Sequence, residues 1–78
     1  MPTTDGNYIR AKISDEARGR LEYYRGMYRK AIKDGNGVQE ALYHGMIKGY
    51  TDALAGFGIV TENERVVLAL YYLDVNVR

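Results

Sequence analysis

The chain contains 78 residues, 46% of them hydrophobic, with one proline, no cysteine and a formal net charge of +1. This composition is typical of one globular domain, and it excludes a disordered chain, a disulfide-linked fold and a metal site built on thiolates. The nearly balanced charge favours no class of partner, and a core of this size seldom supplies more than ~3–5 kcal/mol without a partner chain or another constraint.

The two ends of the chain show the alternation of a β-strand. Residues 8–13 and residues 74–78 both alternate apolar with polar side chains, which is the strand period. We expect short terminal strands, the first of them in an N-terminal arm of residues 1–13, while extended coil packed on helices is the alternative. The apolar members of the two segments are Ile9, Ala11, Ile13, Val75 and Val77.

Residues 14–78 are expected to form a helical domain, which capping signals divide into three helices. Helix A begins at Ser14, a favoured N-cap residue, and ends at Gly35, a favoured residue just after a helix. Helix B covers roughly residues 38–57. Helix C begins after Thr61, where a T-x-x-E capping box starts, and runs to about residue 73. The predicted fold class is therefore all-α, a three-helix domain with possible short terminal β-strands.

Helix B carries two rows of side chains that need different neighbours. Because glycine within a helix is ~1 kcal/mol less favourable than alanine, we expect its row of small residues to allow close packing of another helix. The alternative is that the glycines make room for the eight tyrosines of the chain. The small residues are Ala41, Gly45, Gly49 and Ala53, and the bulky ones on another face are Tyr43, Ile47, Tyr50 and Leu54.

Helix C has no charged residue between Arg65 and Asp74, so apolar side chains cover its whole circumference. A helix of this kind is normally buried, and three short helices cannot easily enclose one of their own number. We therefore expect a homodimer or higher oligomer, and the alternative places helix C in a groove between helices A and B, covered by the two terminal strands. The predicted oligomer interface consists of Val67, Leu68, Tyr71 and Tyr72.

Helix A carries a stripe of arginines on its polar face. The stripe consists of Arg18, Arg25 and Arg29, with Tyr23 exposed nearby. Guanidinium groups can contact phosphates, and a tyrosine ring can stack on a base. We expect this face to contact a protein with an acidic surface, with a nucleic acid as the alternative partner. Interspersed carboxylates such as Glu22 make an ordinary solvated face the simplest interpretation.

No set of residues indicates an enzyme. The only serine is used as a helix cap, and the only histidine, His44, lies one helical turn from Glu40. This pair has the spacing of metal ligands, but its continuation to Lys48 and Asp52 is better explained as a ladder of i,i+4 ion pairs. We expect no catalytic residue, no metal ion and no cofactor.

Residues 49–54 (GYTDAL) and 58–64 (GIVTENE) form the pattern GYxxAL followed by G-I-apolar-T-E-x-E. This pattern resembles one in short helical proteins encoded by phages and prophages of Gram-positive bacteria. The resemblance implies a non-enzymatic modulator or inhibitor of a host protein, acting against a host defence or regulatory system in the host cytoplasm.

The residues themselves predict a protein–protein interaction module, with a small nucleic-acid-binding regulator as the alternative. The N-terminus lacks the basic and apolar regions of a signal peptide, and the longest apolar run is only residues 66–73. A helix that crosses a bilayer needs ~20 apolar residues. We therefore expect a cytoplasmic protein that makes no contact with a membrane.

Overall fold

The computed structural model describes residues 8–74, and within that range the chain is helical and contains no strand. The all-α fold class is confirmed, and α2, α3 and α4 correspond to the predicted helices A, B and C. The predicted C-terminal strand at Val75 and Val77 lies outside the described residues. The helices are α1 over residues 8–12, α2 over Asp15–Asp34, α3 over Gly37–Gly56 and α4 over Glu62–Leu73.

Both ends of α2 follow the predicted capping rules. The Ser14 hydroxyl accepts a hydrogen bond from the backbone N–H of Ala17 at 3.1 Å. At the other end Gly35 adopts a left-handed φ of 70°, and the N–H of Asn36 donates to the carbonyl of Ala31 at 2.8 Å. Glycine adopts this conformation without steric penalty, so the chain turns directly from α2 into α3.

The turn between α3 and α4 is fixed by a similar pair of local signals. Gly58 has φ 78°, and the N–H of Ile59 donates to the carbonyl of Leu54 at 2.9 Å, the long bond of a Schellman motif. The Thr61 hydroxyl then accepts from the N–H of Glu64 at 3.1 Å, while the Glu64 carboxylate accepts from the N–H of Thr61 at 2.9 Å. This reciprocal pair is the predicted capping box.

The prediction of a strand over residues 8–13 is wrong, because residues 8–12 are helical. Ile9 and Ile13 are each only 3% exposed and face the core, whereas Ala11 between them is exposed. Residues four positions apart share a face in a helix as well as in a strand. The two isoleucines therefore satisfy both periods, and only the outward position of Ala11 distinguishes them.

The hydrophobic core lies where the four helices meet. α3 packs against both α2 and α4. α1 contributes its two isoleucines to the same core, so the segment predicted as an N-terminal arm forms part of the packed domain in its described residues. The buried apolar cluster contains Ile9, Ile13, Ala17, Leu21, Tyr28, Ile47, Leu54, Val60, Leu68 and Tyr72.

The structure corrects the predicted oligomer interface on α4. Leu68 and Tyr72 are 0% exposed within one chain, so they are core residues and cannot contact a partner. Val67 and Tyr71 are half-buried and pack against the same core. Ile9 and Ile13 of α1 belong to the same buried cluster as Leu68 and Tyr72, so the N-terminal segment helps to cover α4 within one chain, as a helix and not as the strand of the alternative arrangement. The exposed apolar side chains of α4 are Val66, at 41% exposure, and Leu70, at 65%.

Candidate functional site

The predicted arginine stripe of α2 is occupied largely by contacts within the chain. Arg18 donates hydrogen bonds to the carbonyl oxygens of Arg10 at 2.7 Å and Ile13 at 2.9 Å, and it also pairs with Asp15. The two carbonyls lie at the end of α1, where a helix has no partners of its own for its last carbonyls. Arg18 therefore joins α1 to α2 rather than offering its guanidinium group to a ligand.

Arg25 and Arg29, the other members of the stripe, also have partners in the chain. Arg25 pairs with Glu22 at 2.8 Å, and its guanidinium carbon lies 5.3 Å from the ring centroids of both Tyr71 and Tyr72. Arg29 is exposed and donates to the backbone carbonyl of Asp74 at 3.1 Å. Of the three arginines of the stripe, Arg25 is the one that pairs with Glu22, the interspersed carboxylate noted in the sequence.

A polar cluster that the sequence did not predict surrounds Arg10. Its guanidinium group donates to the hydroxyls of Tyr72 at 3.0 Å and Tyr71 at 3.2 Å, and pairs with Glu22 at 2.9 Å. Burial acts to lower the pKa of Arg10, but the hydrogen bond to Tyr72 and the nearby acidic groups outweigh it and raise that pKa. The cluster joins α1, α2 and α4, so its role is structural.

The buried tyrosines lead us to expect that stability falls in alkali. Burial raises the pKa of Tyr72, and it also raises that of Tyr28, both above the ordinary value of 10.0. The unfolded chain therefore loses these protons first as the pH rises above about 10, which favours unfolding. Stability from these groups is complete below that pH and declines above it. Urea unfolding at a series of alkaline pH values measures this decline in the free energy of unfolding. The Tyr72→Phe variant should show a shallower decline with pH. A decline as steep as that of the wild type would show that the Tyr72 hydroxyl does not contribute to it.

Four tyrosines, here called the tyrosine cluster, meet between α2 and α3. The ring of Tyr24 lies 6.0 Å from that of Tyr23, 6.4 Å from that of Tyr43 and 6.2 Å from that of Tyr50. Tyr23, which the sequence predicted to be exposed, is 59% exposed, while the other three are half-buried. Tyrosine gives large contact area with little loss of side-chain entropy, and it is enriched in protein-binding surfaces.

The row of small residues on α3 has no packing neighbour within the described chain. Ala41, Gly45, Gly49 and Ala53 are all exposed. A Cβ added at Gly45 or Gly49 would meet nothing within 4 Å. Among residues 8–74, the glycines therefore neither admit another helix nor make room for tyrosine rings, so neither interpretation holds for the part of the chain that the structure describes. Each still makes the helix less stable than alanine would, by ~1 kcal/mol.

A row of larger uncharged side chains runs beside this small row on α3. Helix surfaces are organised in rows of every fourth residue, and neighbouring rows form ridges and grooves. We name the larger row the ridge and the small row the groove, and the two together the uncharged face of α3. The ridge consists of Val38, Leu42, Met46 and Tyr50; the groove consists of Ala41, Gly45, Gly49 and Ala53.

The uncharged face of α3 is open to solvent over most of its length. In the ridge, Val38 is 79% and Leu42 is 50% exposed, and Phe57 just after the helix is 80% exposed. Ile47, on the opposite side of α3, is fully buried, so the face points away from the core. Tyr50 belongs both to the ridge and to the tyrosine cluster, so the two features adjoin one another on α3.

The described residues provide no arrangement that suggests catalysis or metal binding. His44 packs its ring 5.8 Å from that of Tyr28, and Asp52 pairs with Arg65 at 3.0 Å instead of extending a ladder along α3. Between residues 8 and 74, no three His, Asp or Glu side chains lie close enough together to hold a metal ion. None of the helices in that range is both long enough and apolar enough to cross a bilayer.

Comparisons with known proteins identified no relative of this chain. No protein-family model, no curated protein and no solved structure matches the chain. The functional conclusion therefore depends on the surface itself.

Proposed function

We propose that the protein is a non-enzymatic protein–protein interaction module that binds through the uncharged face of α3 and the adjoining tyrosine cluster. The observation that carries this proposal is the outward surface of α3, where the ridge and the groove contain no charged residue. The outward side of a helix on a globular domain normally carries polar and charged side chains. A continuous exposed apolar surface is characteristic of a contact site.

The composition of this surface supports a protein as the partner. Aromatic residues and methionine are enriched at the centre of protein interfaces, where charged residues are depleted. Tyr23 offers an exposed ring, and Leu42 and Phe57 offer apolar side chains that gain free energy when a partner covers them. Small residues between them allow a partner's backbone to approach closely.

The alternative of a nucleic-acid-binding regulator has less support. It requires guanidinium groups that can reach phosphates, whereas Arg18 and Arg25 contact carbonyls, a carboxylate and aromatic rings of their own chain. The same contacts weaken the proposal that the stripe binds an acidic protein. The resemblance to small phage proteins favours a host protein as the partner, and a second copy of the chain is the other partner that the sequence suggested.

One pair of leucine variants tests the proposed surface. Leu42 on α3 and Leu70 on α4 are both exposed, at 50% and 65%, so glutamate at either position should leave the fold intact. We expect Leu42→Glu to weaken binding to whatever protein the wild type captures from a host-cell lysate, by about tenfold or more, which is the effect of losing a central interface side chain. Quantitative mass spectrometry of the captured proteins measures this.

The matched control is Leu70→Glu, which makes the same chemical change outside the proposed surface. It should capture the same proteins as the wild type, and both variants should keep the wild-type circular dichroism spectrum. Capture that survives Leu42→Glu, or that depends on Leu70 instead, would exclude the uncharged face as the binding surface.

A further inference from the structure

We propose that the Glu64 carboxylate is a latch that couples the docking of α1 to the formation of the first turn of α4, so that the two segments open and close together. The latch consists of Lys12 in α1 and of Thr61 and Glu64 at the start of α4. It shares no residue with the uncharged face of α3 or with the tyrosine cluster, so it is a conformational device separate from the proposed binding surface.

Glu64 uses its two carboxylate oxygens for two different segments of the chain. Oε1 accepts a hydrogen bond from the backbone N–H of Thr61 at 2.9 Å, which is one half of the capping box that starts α4. Oε2 accepts from the Nζ of Lys12 at 2.6 Å, at the end of α1. One side chain thus satisfies a backbone donor at the start of its own helix and binds a charged group 52 residues earlier in the chain.

The double use of one side chain makes the two contacts cooperative. Ordering a long side chain such as that of glutamate costs conformational entropy. When Lys12 already holds the Glu64 carboxylate in place, the capping bond forms without that cost, and the capping bond has the same effect on the ion pair. A coupling of this kind is reciprocal, so a change that weakens either contact also weakens the other.

The latch is separate from the other polar contacts between α1 and α4. Arg10 donates to the hydroxyls of Tyr71 and Tyr72, about two helical turns beyond Glu64. These hydrogen bonds and the burial of the two isoleucines of α1 do not involve the latch. The ion pair of Lys12 can therefore be removed while α1 keeps its remaining contacts, which makes a local test of the coupling possible.

The test is Lys12→Met, which removes the ion pair but no atom of the capping box. The readout is hydrogen exchange, followed by NMR, at the amides of Glu64 and Arg65, which donate to the hydroxyl and the carbonyl of Thr61. We expect both amides to exchange about two- to fivefold faster than in the wild type, which is the effect of losing an ion pair at a protein surface. The amide of Ile47, in the middle of α3, should exchange at the wild-type rate, because the opening is local.

The matched control is Lys30→Met, which makes the same chemical change and breaks the ion pair with Asp34, 2.8 Å long, at the end of α2. It should leave the exchange of the Glu64 and Arg65 amides unchanged. Wild-type exchange at these two amides in the Lys12→Met protein would overturn the inference, since the two contacts would then be independent. Equal acceleration at Ile47 would also overturn it, because the variant would then act on the whole domain.

Thr61→Ala tests the coupling in the opposite direction. This change removes the hydroxyl that caps α4 and lies outside the contact between Lys12 and Glu64. Because the coupling is reciprocal, we expect the methyl NMR signals of Ile9 and Ile13 to move towards their positions in the unfolded chain, as α1 spends more time undocked. Isoleucine signals that stay at their wild-type positions would show that the α4 cap has no influence on α1.

Discussion

Leu68→Glu is expected to unfold the domain. Leu68 is completely buried and belongs to the same cluster as Leu21, Ile47 and Tyr72. Removing a buried leucine side chain to alanine already costs about 2–5 kcal/mol, and a carboxylate in the same place adds the penalty of an unpaired buried charge. A single core in a chain of 78 residues seldom supplies more than about 3–5 kcal/mol of stability. Far-ultraviolet circular dichroism should therefore show loss of most helical signal at neutral pH.

Leu70→Glu, two positions along the same helix, provides the control for this result. Its side chain is 65% exposed, so the variant should remain helical with a stability close to that of the wild type. A Leu68→Glu protein that stayed folded and only dissociated from a partner would show instead that this residue lies at an interface between subunits.

The second large effect is expected at Arg10. Arg10→Met removes three hydrogen bonds at once and leaves the hydroxyl of the fully buried Tyr72 without its donor. A charged hydrogen bond to a buried group is worth about 1.5–3 kcal/mol, so we expect a loss of about 2–3 kcal/mol in the free energy of unfolding. Urea unfolding measures this loss, and Arg29→Met, which changes an exposed arginine, should lose less than about 0.5 kcal/mol.

A double-mutant cycle separates the hydrogen bond from the packing of the arginine side chain. Tyr72→Phe removes only the hydroxyl, so combining it with Arg10→Met should destabilise the domain by less than the sum of the two single changes. A coupling of about 1–2 kcal/mol is typical of residues in one hydrogen-bond network. Simple additivity would mean that the two side chains do not interact in solution.

The ends of the three long helices could be predicted from the sequence because capping is local. Ser14, Asn36 and Thr61 each accept a backbone hydrogen bond from the third residue along, and Gly35 and Gly58 each take a left-handed conformation. Each of these interactions joins atoms only a few residues apart. The sequence around the helix end therefore contains all the chemistry that determines it.

The packing of the helices could not be predicted, since it depends on contacts between distant parts of the chain. Arg10 bonds to Tyr72, 62 residues away, and no local pattern announces such a pairing. One ambiguity in the local sequence pattern also affected the prediction of how the helices pack. Because Ile9 and Ile13 fit a strand as well as a helix, the sequence did not predict α1, which brings both isoleucines into the cluster that buries Leu68.

For the candidate site, the sequence located the groove on α3 but not its position relative to the core. The four-residue spacing of Gly45 and Gly49 is visible in the sequence, whereas the direction in which the row points depends on how α3 is rotated. That rotation follows from which side of α3 buries Ile47 and Leu54. The ridge was missed because Val38 and Leu42 are apolar residues of the kind that sequence patterns assign to a core.

The docking of α1 has a consequence for how the domain opens. The helical state of residues 8–12 is supported by the contacts that Ile9, Arg10 and Ile13 make with the rest of the domain. Undocking and melting of this segment are therefore one coupled event. That event would expose one side of α4 to water while α2 and α3 stay paired. If the domain unfolds in steps, we therefore expect release of the N-terminal segment to come first.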